Sequence, residues 1–201
     1  MAVRSEASRR AVLDATMDLL IRDGRRAVTV QQLSIEAIAK RAKVSKATIY
    51  RWWPSKAAVV IDAFMDNHLA QTRIPEKMPV REALLTHLKS LIAQYAGPQG
   101  RLISQIIAEC QYDPATLQTF RSRFWDERYR AVEKLMQRGI DEGVFRADLA
   151  PAAATQLLYS PVYLNLLFGL APLDDSLAEQ LVDMGIRGLA PLPETDSPTD
   201  G

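Results

Sequence analysis

Residues 34–56 read Ser34-Ile-Glu-Ala-Ile-Ala-Lys-Arg-Ala-Lys-Val-Ser-Lys-Ala-Thr-Ile-Tyr-Arg-Trp-Trp-Pro-Ser-Lys56. Two short helices joined by a tight turn are written into this stretch. Ser34 has the hydroxyl to cap the first, and Glu36 places negative charge in its first turn, where the helix dipole is positive. Ile38, Ala39 and Ala42 give that helix one apolar face. Lys43-Val44 makes the turn, with Val44 as the plug between the helices. Ser45 caps the second helix, which turns Ile49 inward and Lys46, Thr48, Tyr50 and Arg51 outward. A short solvated helix showing those side chains is equipped to read a DNA major groove.

Charge points the same way. Residues 1–57 hold 12 Lys and Arg against 5 Asp and Glu, a balance of +7, whereas residues 58–201 hold 13 against 19, a balance of −6. Basic charge gathered at one end of a near-neutral chain is the electrostatic footprint of a nucleic-acid-binding module.

The stretch closely resembles the DNA-binding domain of the TetR family of one-component regulators. The match rests on Ile38-Ala39, Ala42, Val44-Ser45-Lys46, Thr48-Ile49-Tyr50 and Trp53-Pro54-Ser55-Lys56, at fixed spacing. The resemblance implies an all-α chain: an N-terminal three-helix DNA-binding domain with a helix-turn-helix, then a larger helical ligand-binding and dimerisation domain. It also implies a homodimer on double-stranded DNA carrying a pseudo-palindromic operator. Within the reading unit, Lys46 and Arg51 are the candidates for guanine edges, and Ala47 and Thr48 belong at the groove floor. Tyr50, Trp52 and Lys56 suit phosphates, joined by the hydroxyls of Ser34 and Ser45. Two features depart from the family pattern. The link from Gly24 to Ser34 is several residues longer than usual, and Lys43 stands where glycine is common. If Lys43 is left-handed it costs on the order of 1 kcal/mol, while its ammonium gains reach towards a phosphate.

Outward from the motif, residues 1–8 read as a basic lead-in whose Arg4, with Arg9 and Arg10, suits phosphate contact or plain solvation. The first helix is expected over residues 8–23, stopped by Gly24. Thr29 is a rival cap for the second helix, but starting there puts Ile38 and Ala42 too late. Ser55 caps a fourth helix over residues 56–72, which joins the head to the rest. Pro75 and Pro79 bracket a linker, so residues 1–73 form the head, 80–189 the effector and dimerisation domain, and 190–201 a proline-bearing tail expected to be disordered.

Beyond the linker only helical patterns occur. Residues 80–96 and 99–111 carry apolar stripes, and Asp113-Pro114 opens a long helix stopped near Gly143. The helix over residues 151–170 is apolar on more than one face, so most of its sides must be covered. Pro161 inside it is expected to kink it, since proline removes one backbone bond and pushes on the preceding turn. The last helix starts at Asp174 or Asp175 and runs to residue 189. The apolar surplus of these last two helices marks a subunit interface, with Leu157, Leu158, Val162, Leu166, Gly169, Leu177, Leu181, Gly185 and Gly188 as its candidates. Cys110, Phe120, Phe124, Trp125, Arg128, Tyr129 and Tyr163 are the candidates for lining a pocket for a small apolar or amphipathic effector.

Other chemistry finds little support. A single cysteine excludes an internal disulfide and a Cys-based zinc site, and suits a reducing compartment. His68 and His87 have no carboxylate at metal-ligand spacing, and no nucleophile elbow or phosphate-cradling loop occurs. No enzyme activity, metal or cofactor is expected. No apolar signal run opens the chain, and residues 157–172 are too short and too broken for a membrane span. The expected location is the cytoplasm.

Overall fold

The computed structural model describes the backbone of residues 2–189 and the side chains of all of these except residues 2–5, 25 and 69–71. The side chain of Arg4 and the tail beyond residue 189 therefore lie outside what is described. Ten α-helices follow one another, with no strand among the described residues. The head holds α1 (Ala2–Met17), α2 (Ile35–Ala42), α3 (Lys46–Tyr50) and α4 (Lys56–Gln71). The body holds α5 (Val80–Tyr95), α6 (Pro98–Tyr112), α7 (Pro114–Phe120), α8 (Asp126–Asp141), α9 (Pro151–Phe168) and α10 (Asp175–Leu189).

Helix α1 begins at Ala2, not near Ser8, because the lead-in carries neither glycine nor proline to stop it. It widens into a π-helical turn at Asp18–Arg22 and tightens to a 3-10 turn at Gly24–Arg26. The long link resolves the rivalry between the two caps. Thr29 and Gln32 close one isolated turn reciprocally, Thr29 N donating to Gln32 Oε1 at 3.1 Å and Gln32 N to Thr29 Oγ1 at 3.3 Å. Ser34 then caps α2, accepting from Ala37 N at 3.1 Å. Val30 and Leu33 from the link are buried in the core, so the extra residues have an anchor of their own.

Helix α4 is the spine of the molecule. Ala58, Val59, Val60, Ile61, Ala63 and Phe64 are all essentially inaccessible, because α1 covers it on the head side and α6 and α7 on the body side. Ser55 caps it as expected. The long helix expected after Asp113 is a continuous helical run with a fault in it: α7 and α8 are joined by a π-helical turn, Arg121–Trp125. Such an extra residue rotates the side chains that follow and is frequent at functional sites. Helix α9 continues without a break past Pro161 and ends at Gly169, whose φ of 63° is the left-handed cap that glycine takes without strain. Asp174 caps α10 through Leu177 N.

Candidate DNA-reading surface and effector cavity

The reading unit is held by its short side chains. Ile38 and Ile49 are fully buried between α2 and α3. Ser45 Oγ accepts from Thr48 N at 3.1 Å and lies 2.9 Å from Thr48 Oγ1, which fixes the first turn of α3. Lys43 sits at φ 55°, ψ 41°, the only non-glycine residue with positive φ among those described. The tight turn thus keeps the geometry that glycine would adopt freely. Lys43, Ser45, Lys46, Ala47, Tyr50, Arg51 and Trp52 are exposed, while Ser34, Thr48 and Lys56 are half-buried. Lys46 is not idle in the free protein: its ammonium bonds Glu36 Oε1 at 2.7 Å, which raises the pKa of Lys46 and lowers that of Glu36. Lys56 points inward to the link, donating to the carbonyls of Val30 at 2.8 Å and Gln31 at 3.2 Å. Its ammonium fastens the link in the free protein.

Trp52 and Trp53 part company. Trp52 is exposed, whereas Trp53 is 1% exposed and its indole donates to Asp62 Oδ2 at 2.7 Å. Asp62 on α4 also receives Arg123 from the π-helical turn of the body.

In the body, a cavity of about 760 Å³ opens between α8 and α9, within the range typical of small-molecule sites. Four of the expected lining residues are in its wall: Trp125, Arg128, Tyr129 and Tyr163. The other three are not. Cys110, Phe120 and Phe124 are buried in the core, Phe124 edge-on to Phe64 and His68. Burial first, and then the carboxylates of Asp113 and Glu109, push the Cys110 thiol up to about 11, which leaves it protonated and inert.

The wall includes residues that periodicity did not mark: His68, His87, Thr155 and Tyr159. They lie at its closed end, each less than a tenth exposed, whereas Leu157, Leu164 and Leu167 at its mouth are largely exposed. One guanidinium nitrogen of Arg128, Nη2, donates to the Thr72 carbonyl at 2.8 Å and meets Thr72 Oγ1 at 2.6 Å and His87 Nε2 at 3.1 Å. His87 Nδ1 lies 2.7 Å from Tyr159 Oη. Burial, followed by the charge of Arg128, lowers both His68 and His87 to about 3, so both are neutral at physiological pH. Arg128 also borders a separate surface groove with Arg73, Arg130, Lys134 and Arg138.

The expected interface residues divide. Leu158, Val162, Leu181 and Gly185 are buried inside the protomer and are not available to a second copy. Gly185 is there because α9 passes close: an added Cβ would fall 2.1 Å from Leu158 Cδ2. Leu166 and Leu177 are half-buried, and Leu166 lies against Gly100. Leu157, Gly169 and Gly188 are exposed, together with Leu164, Leu167, Phe168, Leu170 and Met184. The α9 helix, apolar on too many faces, buries one stripe in its own core and leaves another uncovered.

Together these features define a helical regulator with a DNA-reading head and a hollow body. Residues 12–63 match the family description "Bacterial regulatory proteins, tetR family", and residues 74–184 match "Tetracyclin repressor-like, C-terminal domain". The chain belongs to the TetR family; it is a DNA-binding transcriptional regulator and not an enzyme. It is 33% identical over 194 residues to the uncharacterised HTH-type transcriptional regulator YdeS of Bacillus subtilis, covering 96% of each chain. The solved TetR family transcription regulator SCO0332 aligns with a TM-score of 0.79 at 28% identity, over 92% of this chain and 99% of that one. The regulator FadR from Bacillus subtilis, solved in complex with stearoyl-CoA, shares the fold: TM-score 0.69 at 17% identity, over 90% of this chain and 98% of its own. No helix among the described residues is long and apolar enough to cross a membrane.

Proposed function

We propose that this protein is a ligand-released repressor that binds a pseudo-palindromic operator as a homodimer. The observation that carries the reading is the link between the body cavity and the helix that bears the head. His68 on α4 is in the cavity wall, and Arg128 in that wall is bonded to Thr72 at the end of α4. A small apolar or amphipathic molecule in the cavity acts on the position of α4. If it binds the non-operator arrangement better, operator occupancy falls by linkage. The hollow body favours this reading over one in which the second half serves dimerisation or a protein partner alone.

One five-residue reading helix touches few base pairs, so useful affinity requires two heads on one frame, in successive major grooves roughly 34–36 Å apart. The uncovered leucines of α9, with Phe168 and Met184, supply an apolar face for the second copy. Lys46, Ala47, Thr48 and Arg51 address the bases. Tyr50 and Trp52 address phosphates, with Ser34, Lys43 and Ser45 beside them. Lys46 must leave Glu36 to do so, an exchange of one anionic partner for another.

The test is the double substitution Lys46→Ala with Tyr50→Ala. Specific operator binding is expected to disappear while sedimentation still gives a dimer. Unchanged operator affinity would remove α3 from the interface.

A further inference from the structure

The polar end of the body cavity brings the Arg128 guanidinium together with His68, His87, Thr155 and Tyr159. Arg128 Nη2 has two hydrogens for its three neighbours, Thr72 O, Thr72 Oγ1 and His87 Nε2. In the tautomer with the His87 proton on Nδ1, Nε2 accepts from Arg128 and Nδ1 donates to Tyr159 Oη, 2.7 Å away. In that tautomer the phenol proton of Tyr159 is free for a ligand at the cavity wall. Thr155 Oγ1, on a residue only 2% exposed, has no partner at all. The Arg128 charge is likewise unanswered. No carboxylate lies within ion-pair distance of it among the described residues. Its hydrogen bonds to Thr72 and its contact with His87 all run through Nη2.

A half-buried cation without a carboxylate, beside the unpartnered Thr155 hydroxyl, favours a partner that is negatively charged and accepts. The two neutral histidines of the wall add no charge of their own. Burial sets the orientation: His68, His87, Thr155 and Tyr159 are deep, while Leu157, Leu164 and Leu167 stand at the mouth. The head of the ligand goes in first, and its apolar part trails along α9.

From this geometry we infer that the effector is an amphipathic free carboxylic acid, its carboxylate held by Arg128, Tyr159 and Thr155 at the closed end of the cavity. The inference rests on the ligand-responsive reading above and narrows it. A single carboxylate matches the one cation of the wall, Arg128, whereas the several phosphates of a thioester cofactor conjugate would meet no further cation there, and entering tail first it would set methylenes against Arg128. A cationic amphipath meets a like charge.

Calorimetric titration of the full-length dimer with four probes of equal chain length tests this: decanoate, decanol, decyltrimethylammonium and decanoyl-coenzyme A. Decanoate is expected to bind at least about tenfold more tightly than decanol, with the other two weaker still. Arg128→Met is expected to weaken decanoate by about 30-fold and leave decanol within about twofold, which also shows that the cavity is intact. Arg128→Lys should restore most of the loss, and Tyr159→Phe with Thr155→Val should each remove a part. Decanol or the ammonium binding as well as decanoate, a preference for the thioester, or indifference to Arg128→Met would overturn the carboxylate assignment alone. Failure of every probe to bind would overturn it together with the ligand-responsive reading.

Discussion

The Nη1 atom of Arg123 lies 2.7 and 2.6 Å from the two carboxylate oxygens of Asp62. One residue belongs to the body and the other to α4. Asp62 Oδ2 is at the same time the acceptor for the buried indole of Trp53, at the end of the reading unit. A single carboxylate therefore ties the reading head, the connecting helix and the π-helical turn of the body together. Asp62→Ala leaves the Trp53 indole without a partner and is expected to cost about 1–3 kcal/mol in urea unfolding. Arg123→Ala removes only a partly exposed ion pair and should cost roughly 1 kcal/mol or less. Equal losses from both would place the stabilisation in the ion pair and not in the indole bond.

Lys43 holds a left-handed conformation that favours glycine. Lys43→Gly is expected to relieve strain of on the order of 1 kcal/mol, offset in part by the greater freedom of glycine in the unfolded chain. The melting temperature should rise or stay level. A fall of several degrees would show that the lysine side chain contributes contacts that outweigh the strain.

The two faces of the C-terminal helices separate stability from association. Gly185→Ala drives a methyl group into Leu158 and is expected to cost about 1–3 kcal/mol in the protomer. Leu164→Asp with Phe168→Asp alters only exposed side chains, so the helical content of the protomer should hold while sedimentation shifts towards monomer. A dimer that survives the second change would move the interface elsewhere.

Acid stability follows from the two buried histidines. Their folded-state pKa values, about 3, lie below the unfolded value near 6.5, so the folded state binds fewer protons in between. Their contribution is complete above about pH 6.5 and is lost as the pH falls towards 3, at up to about 1.4 kcal/mol per pH unit for each. His68 stacks on Phe64 and Tyr95, so His68→Phe is a fitting replacement. Denaturant unfolding of this variant between pH 6.5 and 4 should show a slope reduced by about that amount. An unchanged slope would place the acid sensitivity in other groups.

The head was legible in the sequence because its signals are local: caps at Ser34, Ser45 and Ser55, apolar spacing at Ile38 and Ile49, and charge. The same holds for several helix ends in the body, where Asp113-Pro114 and Gly143 act on their own neighbours. The cavity was legible only in part. Trp125, Arg128, Tyr129 and Tyr163 carry a polar tip on an apolar stripe, which marks them, but His68 and His87 reach the cavity from α4 and α5 and are joined only by packing between distant segments. The interface failed for a related reason. Periodicity shows that α9 has two apolar faces, yet which one meets α10 of its own chain depends on the close approach of Leu158 to Gly185. The π-helical turn that aims Arg123 at Asp62 leaves no mark in an apolar pattern at all.

Whether the exposed side chains of α3 read a repeated sequence is settled most directly by selecting bound fragments from random double-stranded DNA with the full-length protein. The account predicts one enriched pseudo-palindrome, its half-sites about one helical turn apart. Binding to it should be lost in the Lys46→Ala, Tyr50→Ala variant and should fall steeply as salt rises. Enrichment of a single unrepeated site, or of no sequence at all, would contradict it.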